Sequence, residues 1–194
     1  RTGTTLWSAI NDCALVTAPF EGESRCQMVV LGGGITGALI AYRLAEEGVD
    51  VVLVDRGEFG RGSTSASTGL LQYEVDTPLD DLIGKVGKDH AVHAYRRGLL
   101  AIDEIEEIVD EIGDRCGFGR RDSLYFASSI CHGRRLRREF DCRRACGFDV
   151  DWLSKRQIAA VSTIRSACAI RSRGDAQIDP LRFTLKVIAA ARQR

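Results

Sequence analysis

With 194 residues, 44% of them hydrophobic, and 27 basic side chains balanced by 27 acidic ones, the chain can bury a core of ordinary domain size and has no formal net charge. Neutrality argues against a nucleic acid or an anionic membrane surface as main partner; no apolar run is long enough for a membrane span, and the first residues lack the pattern of a secretory signal. The default is a soluble, cytoplasmic protein, with the seven scattered cysteines, at 13, 26, 116, 131, 142, 146 and 168, read as free thiols of a reducing compartment.

Residues 1–26 have few periodic apolar positions and read as an irregular leader that packs over a sheet, anchored by Trp7 and Phe20. The chain opens on Arg1 rather than a methionine, which points to processing or trimming. Then comes the most informative stretch. A short apolar run, Met28 to Leu31, predicts a strand; a glycine cluster breaks it; Ala38, Ala41, Tyr42 and Ala45 recur at helical spacing; Gly48 stops the helix; Val51 to Val54 predicts a second strand, closed by Asp55.

Gly32, Gly34 and Gly37 fill a G-x-G-x-x-G pattern between the first strand and the helix, the context in which that pattern marks a dinucleotide site. The first glycine lets the chain turn, the second admits a pyrophosphate to the backbone, and the third lets helix and strand close up. The N–H groups from Ile35 to Ala38 would face the phosphates at the positive end of the helix dipole. Asp55, about 20 positions further on, can accept both hydroxyls of an adenosine ribose. An acid there disfavours the 2′-phosphate of NADP and leaves NAD and FAD open.

Asp55 and Arg56 lead into Gly62-Ser63-Thr64-Ser65-Ala66-Ser67-Thr68-Gly69. On composition this is a solvated loop. Its position, beyond the carboxyl end of a strand of a doubly wound sheet, places it instead at a ligand crevice. Leu70, Leu71 and Tyr73 then return the chain to the interior.

Thr77-Pro78 predicts a short helix with Pro at its first position, and Lys88 to Ile112 a long amphipathic helix ended by Gly113. Ser123–Ser128 and Phe148–Leu153 read as strands. Between them lies a basic helix carrying Arg134, Arg135, Arg137, Arg138, Arg143 and Arg144, read as a solvated face over an apolar stripe of Leu136 and Phe140. Ser154 and Gln157 form a capping box, and Asp179-Pro180 opens a final helix. Cys131, His132, Cys142 and Cys146, or His90 with His93, invite a metal reading, but neither set has the spacing of a zinc module, and no metal is expected.

GGGITG, VVLVDRG and GSTSASTGLLQ, with the LWSA segment ahead of them, resemble the N-terminal portion of the D-amino-acid oxidase-like family of FAD-dependent oxidoreductases, which includes sarcosine and glycine oxidases. The resemblance implies FAD as cofactor. Gly32, Gly34, Thr36 and Gly37 would meet its pyrophosphate, Asp55 with Arg56 beside it the ribose, and Ser63, Thr64, Ser65, Thr68 and Gly69 the pyrophosphate and flavin. The family more often has Glu where Asp55 stands, and either acid accepts the ribose hydroxyls.

The resemblance also implies an α/β fold: a doubly wound, Rossmann-like FAD-binding domain, incomplete, with part of an inserted α+β substrate domain. Residues 1–26 would pack on the FAD domain, 27–77 form its first part, 78–173 belong to the substrate domain, and 174–194 form a helix returning to the FAD domain. Because the chain stops inside a crossover, it is expected to be the N-terminal part of a longer reading frame. The implied activity is oxidation of the C–N bond of an amino acid or secondary amine, the flavin taking the hydride equivalent. No catalytic residue is assigned. The alternatives are an NAD-dependent dehydrogenase and a truncated, non-catalytic dinucleotide-binding relative; oligomeric state and electron acceptor stay open.

Overall fold

The computed structural model describes residues 3–12 and 15–194, with residues 130 and 131 described by their backbone alone. The elements in chain order are α1 (Leu6–Ile10), β1 (Met28–Leu31), α2 (Ile35–Glu46), β2 (Val51–Val54), β3 (Leu70–Leu71), α3 (Leu79–Val86), α4 (Lys88–Glu111), β4 (Gly119–Phe126), α5 (Ile130–Ala145), β5 (Val150–Ser154), α6 (Lys155–Val161), β6 (Cys168–Gln177) and α7 (Pro180–Ala191). A 3-10 turn covers Thr64–Ala66. The chain divides into two compact units, one formed by Arg1–Leu70, Glu106–Phe118 and Ile178–Arg194, the other by Leu71–Ile105 and Gly119–Gln177.

In the first unit β1 and β2 are parallel, in register from Met28 opposite Val51 to Leu31 opposite Val54. A parallel pair needs a crossover, and α2 supplies it with a small-residue face of Gly37, Ala38 and Ala41 turned inward. Helix α7 packs along α2. Its N-terminus is closed as expected: Asp179 Oδ1 accepts the N–H of Leu181 (3.1 Å) and of Arg182 (2.9 Å), and Asn11 Nδ2 donates to Asp179 Oδ2 (2.6 Å). The leader departs from expectation in part. Residues 6–10 are helical, and the indole N–H of Trp7 donates to Ser67 O (2.8 Å), but Phe20 is 61% exposed and anchors nothing. It lies in a run without helix or strand, and its neighbours Glu21, Glu23 and Arg25 are exposed as well.

The second unit is built on an antiparallel sheet. β6 is its central strand; β4 pairs along its length, and β5 and β3 pair on the opposite edge. β6 has no clear apolar alternation and was not expected from the sequence. Its arginines are matched sideways, Arg171 to Asp151, and Arg173 to Asp149 (2.7 Å) and Asp151 (2.5 Å). Tyr73, Tyr95 and Phe148 form an aromatic cluster with ring centroids 5.6 to 5.9 Å apart.

Two further expectations are corrected here. Leu70 is exposed rather than buried, while Tyr73 does return to the interior. The arginines of α5 are not one solvated face: Arg143 lies inside the unit with Glu139, the ion pair resting under the Tyr95 ring. Glu139 also caps α3, its Oε1 accepting Leu79 N–H and its Oε2 accepting Asp80 N–H, both at 2.9 Å. Pro78 accordingly sits one position ahead of the first turn of α3, not within it.

Candidate dinucleotide site

At the carboxyl ends of β1 and β2 the chain makes the turn that the glycine spacing predicts. Gly32 takes φ +105°, a conformation side chains disfavour, and its N–H still pairs with Val54 O at 2.8 Å, so the turn starts from a closed sheet register. A Cβ on Gly37 would lie 1.9 Å from Gly32 O, which is backbone and cannot yield; this glycine sets the distance between α2 and the turn. Gly34 is the N-cap of α2 and has no side chain to cap with. The cap comes from elsewhere. Thr64 Oγ1 accepts Ile35 N–H at 3.0 Å and would stand 3.2 Å from a Cβ on Gly34. The next N–H groups, of Thr36 and Gly37, have no acceptor among the described residues, so the helix start presents donors toward the open end.

Asp55 follows β2 and is exposed. Its Oδ2 accepts Gly33 N–H at 2.7 Å and its Oδ1 accepts Gly57 N–H at 2.9 Å. These two donors, Gly33 first, with Arg56 adding to them, hold the carboxyl below the ordinary aspartate range, so it is an anion at neutral pH. Each oxygen retains capacity for another donor. The same carboxylate therefore fixes the glycine turn and still offers acceptors to solvent.

The loop from Ser63 to Gly69 divides. Thr64 is buried and faces the turn; Ser63 and Thr68 are exposed. Ser65 is buried with its hydroxyl turned to Arg61 O (3.2 Å) and Gly62 O (3.1 Å), and Gly69 lies against Ile178 O, where a Cβ would come within 2.4 Å. Gly32, Gly34, Thr36, Gly37, Asp55 and Thr64 thus gather at one end of the parallel pair with Arg56 adjacent, whereas Ser65 and Gly69 spend their polar groups or close packing on the protein itself. Sequence reasoning missed Gly33, Phe59 and Gly60. A Cβ on Gly33 would fall 1.8 Å from the Phe59 ring, and Gly60 N–H donates to Gly33 O at 2.9 Å. Three consecutive glycines were the available signal.

A helix start with uncapped N–H groups beside a glycine that carries no side chain can take an anion such as a phosphate. Among the described residues no group of three or more His, Cys, Asp or Glu side chains is placed to hold a metal. His90 and His93 are exposed, and His132 is engaged by Ser128 N–H at 3.2 Å. Cys13 and the Cys131 side chain fall outside the described residues; Cys26, Cys116, Cys142, Cys146 and Cys168 are free thiols.

A strand–glycine turn–helix–strand unit ending in an acid is the opening of a Rossmann-like fold. Residues 27–194 match the family profile of the FAD dependent oxidoreductases (DAO), and the chain belongs to that family. It is 27% identical over 92% of its length to YhfW of Bacillus subtilis (strain 168), a protein named for a Rieske 2Fe-2S iron-sulfur centre, covering 34% of that relative. It is 26% identical over 68% of its length to glycine oxidase of Geobacillus kaustophilus (strain HTA426), covering 33% of it. The crystal structure of a Geobacillus kaustophilus glycine oxidase superposes with a TM-score of 0.68 at 24% identity, over 86% of this chain and 44% of that one. L-amino acid deaminase from Proteus vulgaris superposes with a TM-score of 0.72 at 16% identity, over 93% and 41%. The chain thus spans about a third of these two sequence relatives. Among the described residues no helix is long and apolar enough to cross a membrane.

Proposed function

We propose that the chain forms the adenosine and pyrophosphate grip of an FAD site in an oxidoreductase that oxidises the C–N bond of an amino acid or secondary amine. The observation that carries the first half is the double use of Asp55, anchored by Gly33 N–H at 2.7 Å and still exposed, next to an α2 start whose cap is supplied by Thr64. Asp55 would receive the ribose hydroxyls; Gly34, Thr36 and Gly37 would meet the pyrophosphate; Ser63, Thr68 and Arg56 line the approach. On this reading the first unit is the FAD-binding part and the second contributes to a substrate domain. FAD, when bound, supplies the electron acceptor for the amine. The chain's own residues orient it and neutralise its phosphates. The substrate class rests on family membership and on relatives named for glycine and L-amino acids.

The test is flavin retention. Purified protein titrated with FAD, followed by quenching of flavin fluorescence, is expected to bind it, and Asp55→Ala to weaken binding by roughly tenfold or more, as loss of hydrogen bonds to a charged group requires. Bleaching of the flavin spectrum by glycine, sarcosine or another amino acid would support the substrate class. Binding of NADH in place of FAD would overturn the reading.

A further inference from the structure

The second unit holds a buried acid cluster that the proposed flavin site does not use. Glu74 follows β3, Asp175 lies on β6, Glu139 and Arg143 on α5, and Asp80 on α3. Arg143 Nη1 donates to Glu74 Oε1 at 2.7 Å and to Ser172 Oγ at 3.2 Å, while its Nε serves Glu139. Asp175 is only 2% exposed, and its Oδ1 accepts Tyr73 N–H at 3.0 Å. The remaining oxygens, Glu74 Oε2 and Asp175 Oδ2, are both sealed from solvent and both lack a donor, and the neighbouring Glu74 side chain acts directly on the Asp175 carboxyl. Two carboxylates cannot bond to one another. A carboxyl and a carboxylate can, through one proton, and that satisfies both orphaned oxygens at once.

We propose that Asp175 keeps its proton in the folded protein and donates it to Glu74, and that this hydrogen bond clamps the segment following β3 onto β6. The groups that face the pair agree. From β4 come Ser123, which lowers the Asp175 carboxyl, and Arg121, in register with Asp175 but turned to Gln177 Oε1 at 3.1 Å. From α5 come Arg143 and Glu139, from α3 Asp80, and from α4 Tyr95; Tyr73 and Ser172 complete the shell. Against four carboxyls, Arg143 is the one cation aimed into the cluster among the described residues. Burial raises the Asp175 carboxyl, the charge of Glu74 raises it further, and Ser123 and Tyr73 N–H only partly oppose them. A group raised on folding lends stability at low pH and withdraws it as pH rises through its folded value.

The consequence falls on a defined place. Glu74 and Asp76, with Tyr125 and Arg143, line a cleft of about 270 Å³. Once the proton leaves, two buried anions repel across that wall, and the segment from Gln72 to Pro78 separates from β6.

Amide hydrogen exchange of a peptide spanning 72–78, measured on the full chain from pH 5 to 9 and corrected for intrinsic rates, tests this. Wild-type protection should fall by up to roughly tenfold per pH unit once the proton is lost. Asp175→Asn, whose amide donates to Glu74 permanently while its oxygen keeps Tyr73 N–H, should hold protection across the range. Equal pH dependence in both proteins, or a flat wild type, overturns the proposal. Should the variant not fold, the infrared carbonyl band of a protonated carboxyl in the wild type decides: present at pH 6 and lost on alkaline titration supports it, absent at pH 6 sinks it.

Discussion

Glu139→Gln should be the most damaging single-atom-scale change in the second unit. The wild-type carboxylate accepts Leu79 N–H and Asp80 N–H at 2.9 Å each and pairs with Arg143, whose side chain is 3% exposed. An amide keeps one oxygen and turns its NH2 toward a donor, so at least one bond is lost and another becomes a donor–donor contact. Removing one partner of a buried pair costs about 3–5 kcal/mol, and losing a helix cap about 1 more. Glu74 remains bound to Arg143 and offsets part of this, which leaves roughly 3 kcal/mol. With an m-value near 2 kcal/mol/M, the urea midpoint followed by far-UV circular dichroism at pH 7 should drop by about 1.5 M. Burial tends to raise the Glu139 carboxyl, but Arg143 and the two backbone donors outweigh it, and the net direction is down. Its contribution is therefore present above the unfolded carboxylate value and lost as pH falls through the folded one, so the gap between wild type and variant should close in acid. The double change Glu139→Gln with Arg143→Met should recover part of the loss. A midpoint shift under about 0.3 M, or a double variant that merely adds two independent losses, would refute the account.

Three other outcomes follow from single contacts. Gly37→Ala forces a Cβ to within 1.9 Å of Gly32 O; the expected loss of several kcal/mol should appear as a first unit that no longer protects its α2 amides, and an unchanged melting temperature would contradict it. Asp114 binds Arg182 (2.8 Å) and Lys186 (3.1 Å) of α7 and Cys116 N–H, contacts that hold its carboxyl well below the usual range. Asp114→Asn should cost about 1 kcal/mol at pH 7 and progressively less as pH falls below the unfolded value, read from thermal melts; a gap that widens in acid would be the wrong sign. Burial first, then Asp114, pushes the Cys116 thiol up to about 12, so at pH 8 iodoacetamide should leave it unmodified until the chain unfolds, as peptide mass mapping would show.

The parallel pair and its glycine turn were legible because each rests on local pattern: an apolar run, a fixed glycine spacing, a helical face of small residues. Asp179 and the Ser154–Gln157 capping box were legible for the same reason, since a cap is decided within four residues. What stayed hidden depends on distant partners. β6 looks too polar for a central strand until Asp151 of β5, and Asp149 just ahead of it, stand beside Arg171 and Arg173. Arg143 is one of six arginines on its helix, and only the neighbours brought by β3 and β6 set it apart. Near the cofactor grip, the acid and the three spaced glycines could be read directly. Phe59 against Gly33, and Thr64 as an acceptor capping Ile35 N–H across 29 positions, could not, because neither pairing has a spacing rule.

β1 has β2 on one side, and among the described residues no strand on the other. Val30 is buried, whereas Met28, Val29 and Leu31 are 46%, 52% and 81% exposed. A bare ladder edge beside apolar side chains is a template for any extended peptide that meets it. For a chemist handling this polypeptide by itself, that four-residue ribbon is the expected place for edge-to-edge association as concentration rises, and a peptide that caps it is expected to keep the molecules apart.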